Sequence, residues 1–169
     1  MKKIIFLLTL MMVFSSTIKS QEEDSDIIKT GDAMPAFTIV SDAGTTISSA
    51  EFGGKVLLIT LFATWCPSCQ LKLAEIEKTL WPKYKGAKDF VLLVIGREHT
   101  DAELAEYNKV KGFTFPLYPD QDRKIFDSFA LQYIPRTYLI NKEGRVVYMT
   151  MGFNPEEFNQ LERMIDRLM

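Results

Sequence analysis

Val56-Leu57-Leu58-Ile59-Thr60-Leu61-Phe62-Ala63-Thr64-Trp65-Cys66-Pro67-Ser68-Cys69 is a hydrophobic run that breaks at a short turn, and a helix-like run follows from Gln70. Cys66 and Cys69 are the only cysteines in the chain, and two residues separate them. A cysteine at a helix start sits beside unpaired backbone N–H groups and the positive end of the helix dipole, and both favour a thiolate. The thiolate is the nucleophile of disulfide exchange. A second cysteine three residues on returns to the same helical face and can close a disulfide with the first. Two other readings compete. A zinc half-site lacks ligands, because zinc usually takes four and only His99 could join the pair. A structural disulfide is possible in an exported protein, yet so short a loop constrains the unfolded chain least. Position, helix start and spacing together favour a redox pair.

Outward from this stretch, hydrophobic patterning predicts alternating strands and helices. Met34 to Val40 and Thr45 to Ile47 flank Ser41-Asp42-Ala43-Gly44 as a hairpin. Val56 to Phe62 and Phe90 to Ile95 read as buried strands. A helix is expected from Cys66 to about Tyr84, with Pro67 in its first turn, Leu73, Ile76 and Leu80 on its apolar face, and Pro82 bending or ending it. Asp101 to Val110 is a second helix, with Thr100 and Glu103 at capping-box spacing and Gly112 as its stop. Phe113 to Tyr118 reads as a strand and Arg123 to Phe129 as a short helix. Thr137 to Ile140 and Arg145 to Met151 form a hairpin, and Asn154 caps a last helix, Pro155 to Leu168. The first two core strands are parallel if a long helix joins them, so their carboxyl ends share one edge. Ligand sites in such sheets lie at that edge, where the cysteine pair and Gly96-Arg97-Glu98-His99 both fall.

The 169 residues suffice for one domain with a core, and 47% of them are apolar. Lys2 and Lys3, the apolar run Ile4 to Phe14 broken only by Thr9, and the small, polar Ser15 to Ser20 read as a signal peptide over residues 1–20. An uncleaved membrane anchor is the alternative, but the run is about half of the ~20 residues a spanning helix needs. No cysteine lies there, which excludes a lipid-anchored lipoprotein. Gln21 to Asp26 is a solvated acidic lead, and residues 21–30 form an acidic linker to a domain at 31–169. Without Lys2, Lys3 and Lys19, seventeen basic residues face 22 acidic ones, a net charge of about −5. No basic patch points to nucleic acid.

Three segments together resemble the TlpA/ResA-like thiol–disulfide oxidoreductases of the thioredoxin superfamily: Gly31 to Phe37, Ala63 to Cys69, and Tyr133-Ile134-Pro135-Arg136-Thr137-Tyr138-Leu139-Ile140-Asn141 with the hairpin after it. The resemblance implies an α/β, thioredoxin-like fold: a mixed central sheet flanked by helices, with an N-terminal β-hairpin extension. It implies a cis Ile134–Pro135 bond facing the disulfide, catalytic roles for Cys66, Cys69 and Pro135, and substrate contacts at Trp65, Pro67, Ser68, Ile134, Gly152 and Phe153. Ile134 offers its backbone to an extended substrate, as added-strand recognition does. The expected activity is reduction of protein disulfides through a mixed disulfide, in the periplasm or otherwise outside the cytoplasm. A disulfide-donating oxidant and a redox-silent binding module with a structural disulfide are the alternatives. The implied partners are disulfide- or thiol-bearing proteins and a membrane or periplasmic electron donor, with a monomer expected and no cofactor or metal.

Two positions depart from the family. Thr60 stands where thioredoxin carries a buried acid, and Lys72 where many relatives carry a glutamate. Lys72 reads first as a solvated helix residue and secondly as a cation that lowers the thiol pKa values. Glu98 and His99 read as ordinary surface residues of the loop, with Glu98 a second possible modulator. The resemblance also reaches the peroxiredoxins. Their peroxidatic cysteine requires a proline and a Thr or Ser where this chain has Ile59 and Ala63, which argues against a peroxidase.

Overall fold

The computed structural model describes residues 25–40, 44 and 46–169. The signal segment, Gln21 to Asp24 and most of the expected Ser41–Gly44 turn lie outside the described residues. A small antiparallel pair comes first: β1 (Thr38–Val40) and β2 (Thr46–Ser48), with Ile39 opposite Ile47. The central sheet holds β3 (Val56–Phe62), β4 (Phe90–Arg97), β5 (Leu117–Asp120), β6 (Arg136–Ile140) and β7 (Val146–Met151) in the order β5-β4-β3-β6-β7. β3 pairs parallel with β4 and antiparallel with β6, so the sheet is mixed, as expected.

Every residue of β3 is buried, because helices cover both sheet faces. Alternate side chains serve the two faces. Val56, Leu58 and Phe62 pack with α1 (Pro67–Glu75), α3 (Asp101–Lys111) and α5 (Pro155–Leu168) through Leu73, Leu104, Phe158 and Leu161. Leu57, Ile59 and Leu61 pack with Ile39 of β1 and with Ile125, Phe126 and Phe129 of α4 (Lys124–Phe129). The connection from β3 through α1 to β4 leaves the carboxyl ends of both strands on one edge, and the cysteines follow β3 there.

Local chemistry explains where the elements begin and end. Thr100 and Glu103 form the expected capping box on α3, and Gly112 ends it at φ 70°, in the left-handed region that glycine adopts freely. Asn154 accepts N–H bonds from Glu156 and Glu157 at the head of α5. The long helix expected after Cys66 is interrupted. Residues Ile76–Leu80 form a π turn in which the Trp81 N–H reaches back to Ile76 C=O, and α2 (Trp81–Tyr84) follows with Pro82 in its first turn. A wider turn ahead of a proline relieves the clash that its ring makes with the preceding turn.

The strand expected at Phe113 starts later, at Leu117. Asn108 binds both the N–H and the C=O of Phe113, and Glu77 takes the Thr114 N–H at 2.8 Å. Pro116 has no N–H to give, so the ladder to β4 starts only at Val94 and Leu117. The solvated lead expected to run through Asp26 also stops short. Ser25 is buried, Asp26 bridges to Ala130, and the Ile27 and Ile28 N–H groups both reach Phe129 C=O at 3.2 Å. Backbone pairing and an ion pair to a buried arginine outweigh the solvation of that short acidic stretch.

Candidate active site

Cys66 is the N-cap of α1, with Pro67 as its first helical residue. Its Sγ accepts the Cys69 N–H at 3.2 Å, so the sulfur occupies the place that a serine or aspartate oxygen takes in an ordinary cap. The two cysteines form a disulfide, with Cα atoms 5.2 Å apart. Cys66 keeps 5% of its surface and Cys69 none. Cys66 opens α1 and Cys69 lies one turn inside it, so the small remaining exposure falls on Cys66. Ser68 Oγ lies 3.4 Å from Cys66 Sγ.

Two loops bracket the disulfide. In the first, after β3, Thr64 is held from both sides: its N–H donates to His99 Nε2 at 3.0 Å and its C=O accepts from Gln70 Nε2 at 3.0 Å. His99 is therefore not the surface residue expected. It is buried, and burial pulls its pKa below the usual histidine value, against the nearby Glu103 and Glu98. Gly96 makes room for it, since a Cβ there would stand 3.3 Å from its Cδ2 and 2.7 Å from Leu104. Trp65 is 64% exposed, with the Arg97 guanidinium 5.9 Å from its ring. Glu98 is exposed as expected, and its carboxylate pairs with Arg97 at 2.9 Å.

The second loop leads into β6. Ile134–Pro135 is cis, and the Ile134 carbonyl oxygen lies 3.9 Å from Cys66 Sγ. Pro135 C=O accepts the Gly152 N–H at 2.9 Å, which brings Gly152 and Phe153 to the same edge. Phe153 packs edge-on to Phe158, 6.0 Å between centroids. Cys66, Cys69, Ser68, Ile134, Pro135 and Gly152 thus converge, with Trp65 and the exposed Pro67 rimming them.

Lys72 overturns its first reading. It is 3% exposed, and its Nζ donates to Thr137 Oγ1 at 2.7 Å and Thr150 Oγ1 at 3.4 Å. Burial pulls its pKa down to about 8, against a partial pull upward from Glu157. Among the described residues no carboxylate forms an ion pair with it. The sequence contained a signal: Lys72 lies three residues after Cys69 and four before Ile76, spacing that puts it on the buried stripe of α1. Thr60, cross-strand from Thr137, is fully buried, and its Oγ1 has no hydrogen-bond partner among the described residues.

Sequence reasoning missed Arg136, the residue after the cis proline. It is 1% exposed and pairs with Asp26. Among the described residues no group of three or more Asp, Glu, His or Cys side chains is placed to hold a metal ion.

Comparison with known proteins agrees with this geometry. The Redoxin family matches residues 29–165. The thiol-disulfide oxidoreductase ResA of Bacillus anthracis is 26% identical over 145 residues, covering 86% of this chain and 82% of that one. ResA of Bacillus subtilis strain 168 is 28% identical over 127 residues, covering 74% and 69%. A solution structure from Bacteroides thetaiotaomicron, described as a candidate protein disulfide isomerase, superposes with a TM-score of 0.82 at 34% identity, covering 85% of this chain and 92% of that one. With most of its length inside that match and its cysteine pair at the head of α1, the chain belongs to the Redoxin family.

Proposed function

We propose that this thiol–disulfide oxidoreductase is exported and reduces protein disulfides. The observation that carries the reading is the position of Cys66 Sγ, at a helix N-cap and 3.9 Å from the Ile134 carbonyl. In the dithiol form, Cys66 thiolate attacks one sulfur of a substrate disulfide. A Cys66–substrate bond forms and the other substrate sulfur leaves as a thiolate. Cys69 thiolate then attacks Cys66, the Cys66–Cys69 bond closes, and the second substrate sulfur leaves. Two electrons pass from enzyme to substrate, and the departing thiolates take up protons. A thiol-bearing donor in the membrane or periplasm restores the dithiol.

Ile134 offers its carbonyl to an extended segment, Pro135 fixes that carbonyl beside the sulfur, and Trp65, Pro67, Ser68, Gly152 and Phe153 form the contact surface. Residues 1–20 direct export, 21–30 lead into the redox domain at 31–169, and the protein acts as a monomer. No described helix is long and apolar enough to cross a membrane.

Lys72 supports a second reading. Being largely protonated at pH 7, it favours a nearby thiolate and so stabilises the reduced pair. A stabilised reduced pair makes a stronger oxidant, which is the case for a disulfide donor. The Cys66–Cys69 reduction potential decides between them. A value near about −270 mV fits a reductant, one near about −120 mV a donor, and one below about −300 mV neither. A Cys69→Ser variant stalls the mixed disulfide and captures the substrate.

A further inference from the structure

The second loop holds an unfavourable backbone. Tyr133 sits at φ 64° with half of its surface exposed, so packing of its side chain cannot account for a conformation that bulky residues avoid. Such a residue persists only where its surroundings over-determine it. Arg136 supplies the surroundings. Its Nε donates to Gln132 C=O at 3.1 Å and Tyr133 C=O at 3.4 Å, and its Nη2 to Gln132 C=O at 2.8 Å. The other side of the guanidinium grips the N-terminal segment: Nη2 reaches Ser25 Oγ at 2.6 Å and Ser25 C=O at 3.3 Å, and Nη1 pairs with the Asp26 carboxylate. The Leu131 N–H returns to Ser25 C=O at 2.9 Å. One buried cation therefore ties residues 25–26 to the two carbonyls immediately before Ile134.

We propose that Arg136 and Asp26 form a clamp that positions the Ile134 carbonyl beside Cys66, so that the N-terminal segment sets the preference for extended peptide disulfides over small ones. The inference rests on the thiol–disulfide chemistry above, but not on its direction. Arg136 and Asp26 touch neither sulfur; they are positioning residues. A small disulfide needs only the Cys66 thiolate, whereas a peptide also needs the backbone groups of the loop in register.

The test compares two probes with one leaving group: a symmetrical aromatic disulfide, and a peptide whose single cysteine carries the same aromatic thiol. Release of the coloured thiol from pre-reduced, full-length protein gives both rate constants. In Asp26→Ala the peptide-to-small-disulfide ratio should fall about fivefold, the size of one lost hydrogen bond, while the small-disulfide rate stays within about twofold. Asp26→Asn keeps the shape of the side chain and serves if the alanine variant does not fold. Amide exchange at Tyr133, Ile134 and Arg136 should quicken in the same variant while β3 amides do not change. Unchanged rates with unchanged exchange overturn the clamp, and so does an equal fall with both probes. If the parent reacts with neither probe, the thiol–disulfide reading fails, and the clamp then stands or falls on the exchange result.

Discussion

Arg136 and Lys72 are both buried cations under the disulfide, and they sit on opposite faces of β6. Arg136 points to the face covered by α4 and β1, while its neighbour Thr137 points to α1 and receives Lys72. Arg136 has a carboxylate and a set of backbone carbonyls around its fixed fork of donors. A guanidinium stays charged throughout the accessible pH range, so Arg136 holds its partners without titrating itself. Among the described residues Lys72 has threonine hydroxyls as its hydrogen-bond partners, and its charge is held at the cost of desolvation. The contrast teaches that the partner, more than the cation, decides whether a buried charge fixes structure or remains free to titrate near neutral pH.

The comparison breaks first at Arg136. Arg136→Met takes the guanidinium from Asp26 and from the Gln132 and Tyr133 carbonyls, and the loss of a buried pair's partner typically costs about 3–5 kcal/mol. Urea unfolding should show a loss of that order; a loss below about 1 kcal/mol would mean that the pair is effectively solvated.

The next effect belongs to Lys72. Its folded pKa of about 8 lies below its usual 10.5, so the folded state disfavours the charged form. The unfolded chain therefore holds more protons between these values, and stability must rise with pH across that window. The parent should gain about 3 kcal/mol from pH 8 to 10.5. Lys72→Met should lack this gain and be more stable than the parent by about 1–2 kcal/mol at pH 7, after the orphaned threonine hydroxyls are counted. Denaturant melts of both proteins across that range check it, and parallel pH profiles would contradict the buried charge.

The same variant sharpens the functional side. Removal of a buried cation three residues from Cys69 should raise the thiol titration of the reduced protein, followed by thiolate absorbance. Overlaid titration curves would confine Lys72 to a structural role. The smallest effect falls on the neutral tie of the first loop. His99→Phe removes the acceptor of the Thr64 N–H and should cost about 1 kcal/mol. The His99 pKa is lowered in the fold, so its contribution is present above the unfolded value of about 6.5 and is lost as pH falls through it towards the folded value. Melts from pH 7 to pH 5 should show that extra loss in the parent and not in the variant.

Much of the fold was legible because its signals are local. The capping box at Thr100 and Glu103, the Gly112 stop, the Asn154 cap and the apolar stripe Leu73, Ile76 and Leu80 each act within a turn or two of helix. The late start of β5 was not legible, because Glu77, 37 residues away, competes for the Thr114 N–H. Lys72 was half legible: its spacing placed it on the buried stripe, but the propensity of lysine for water argued the other way. Only the two threonines presented by β6 and β7 show how its ammonium is accommodated.

By itself the sequence determined the redox pair and its setting: a strand, a turn, and a helix that begins at Cys66 with Cys69 one turn inside. Those features depend on hydrophobic alternation and on backbone groups left open at a helix start, which neighbouring residues decide. The tertiary structure alone decided what surrounds the pair. His99 reaches Thr64 across 35 residues, Lys72 reaches Thr137 across 65, and Arg136 reaches Asp26 across 110. Each is a polar group taken out of water, and such a group is stable only where folding brings it a partner. No local pattern in the chain records that partner, because the contact exists only once the sheet has assembled.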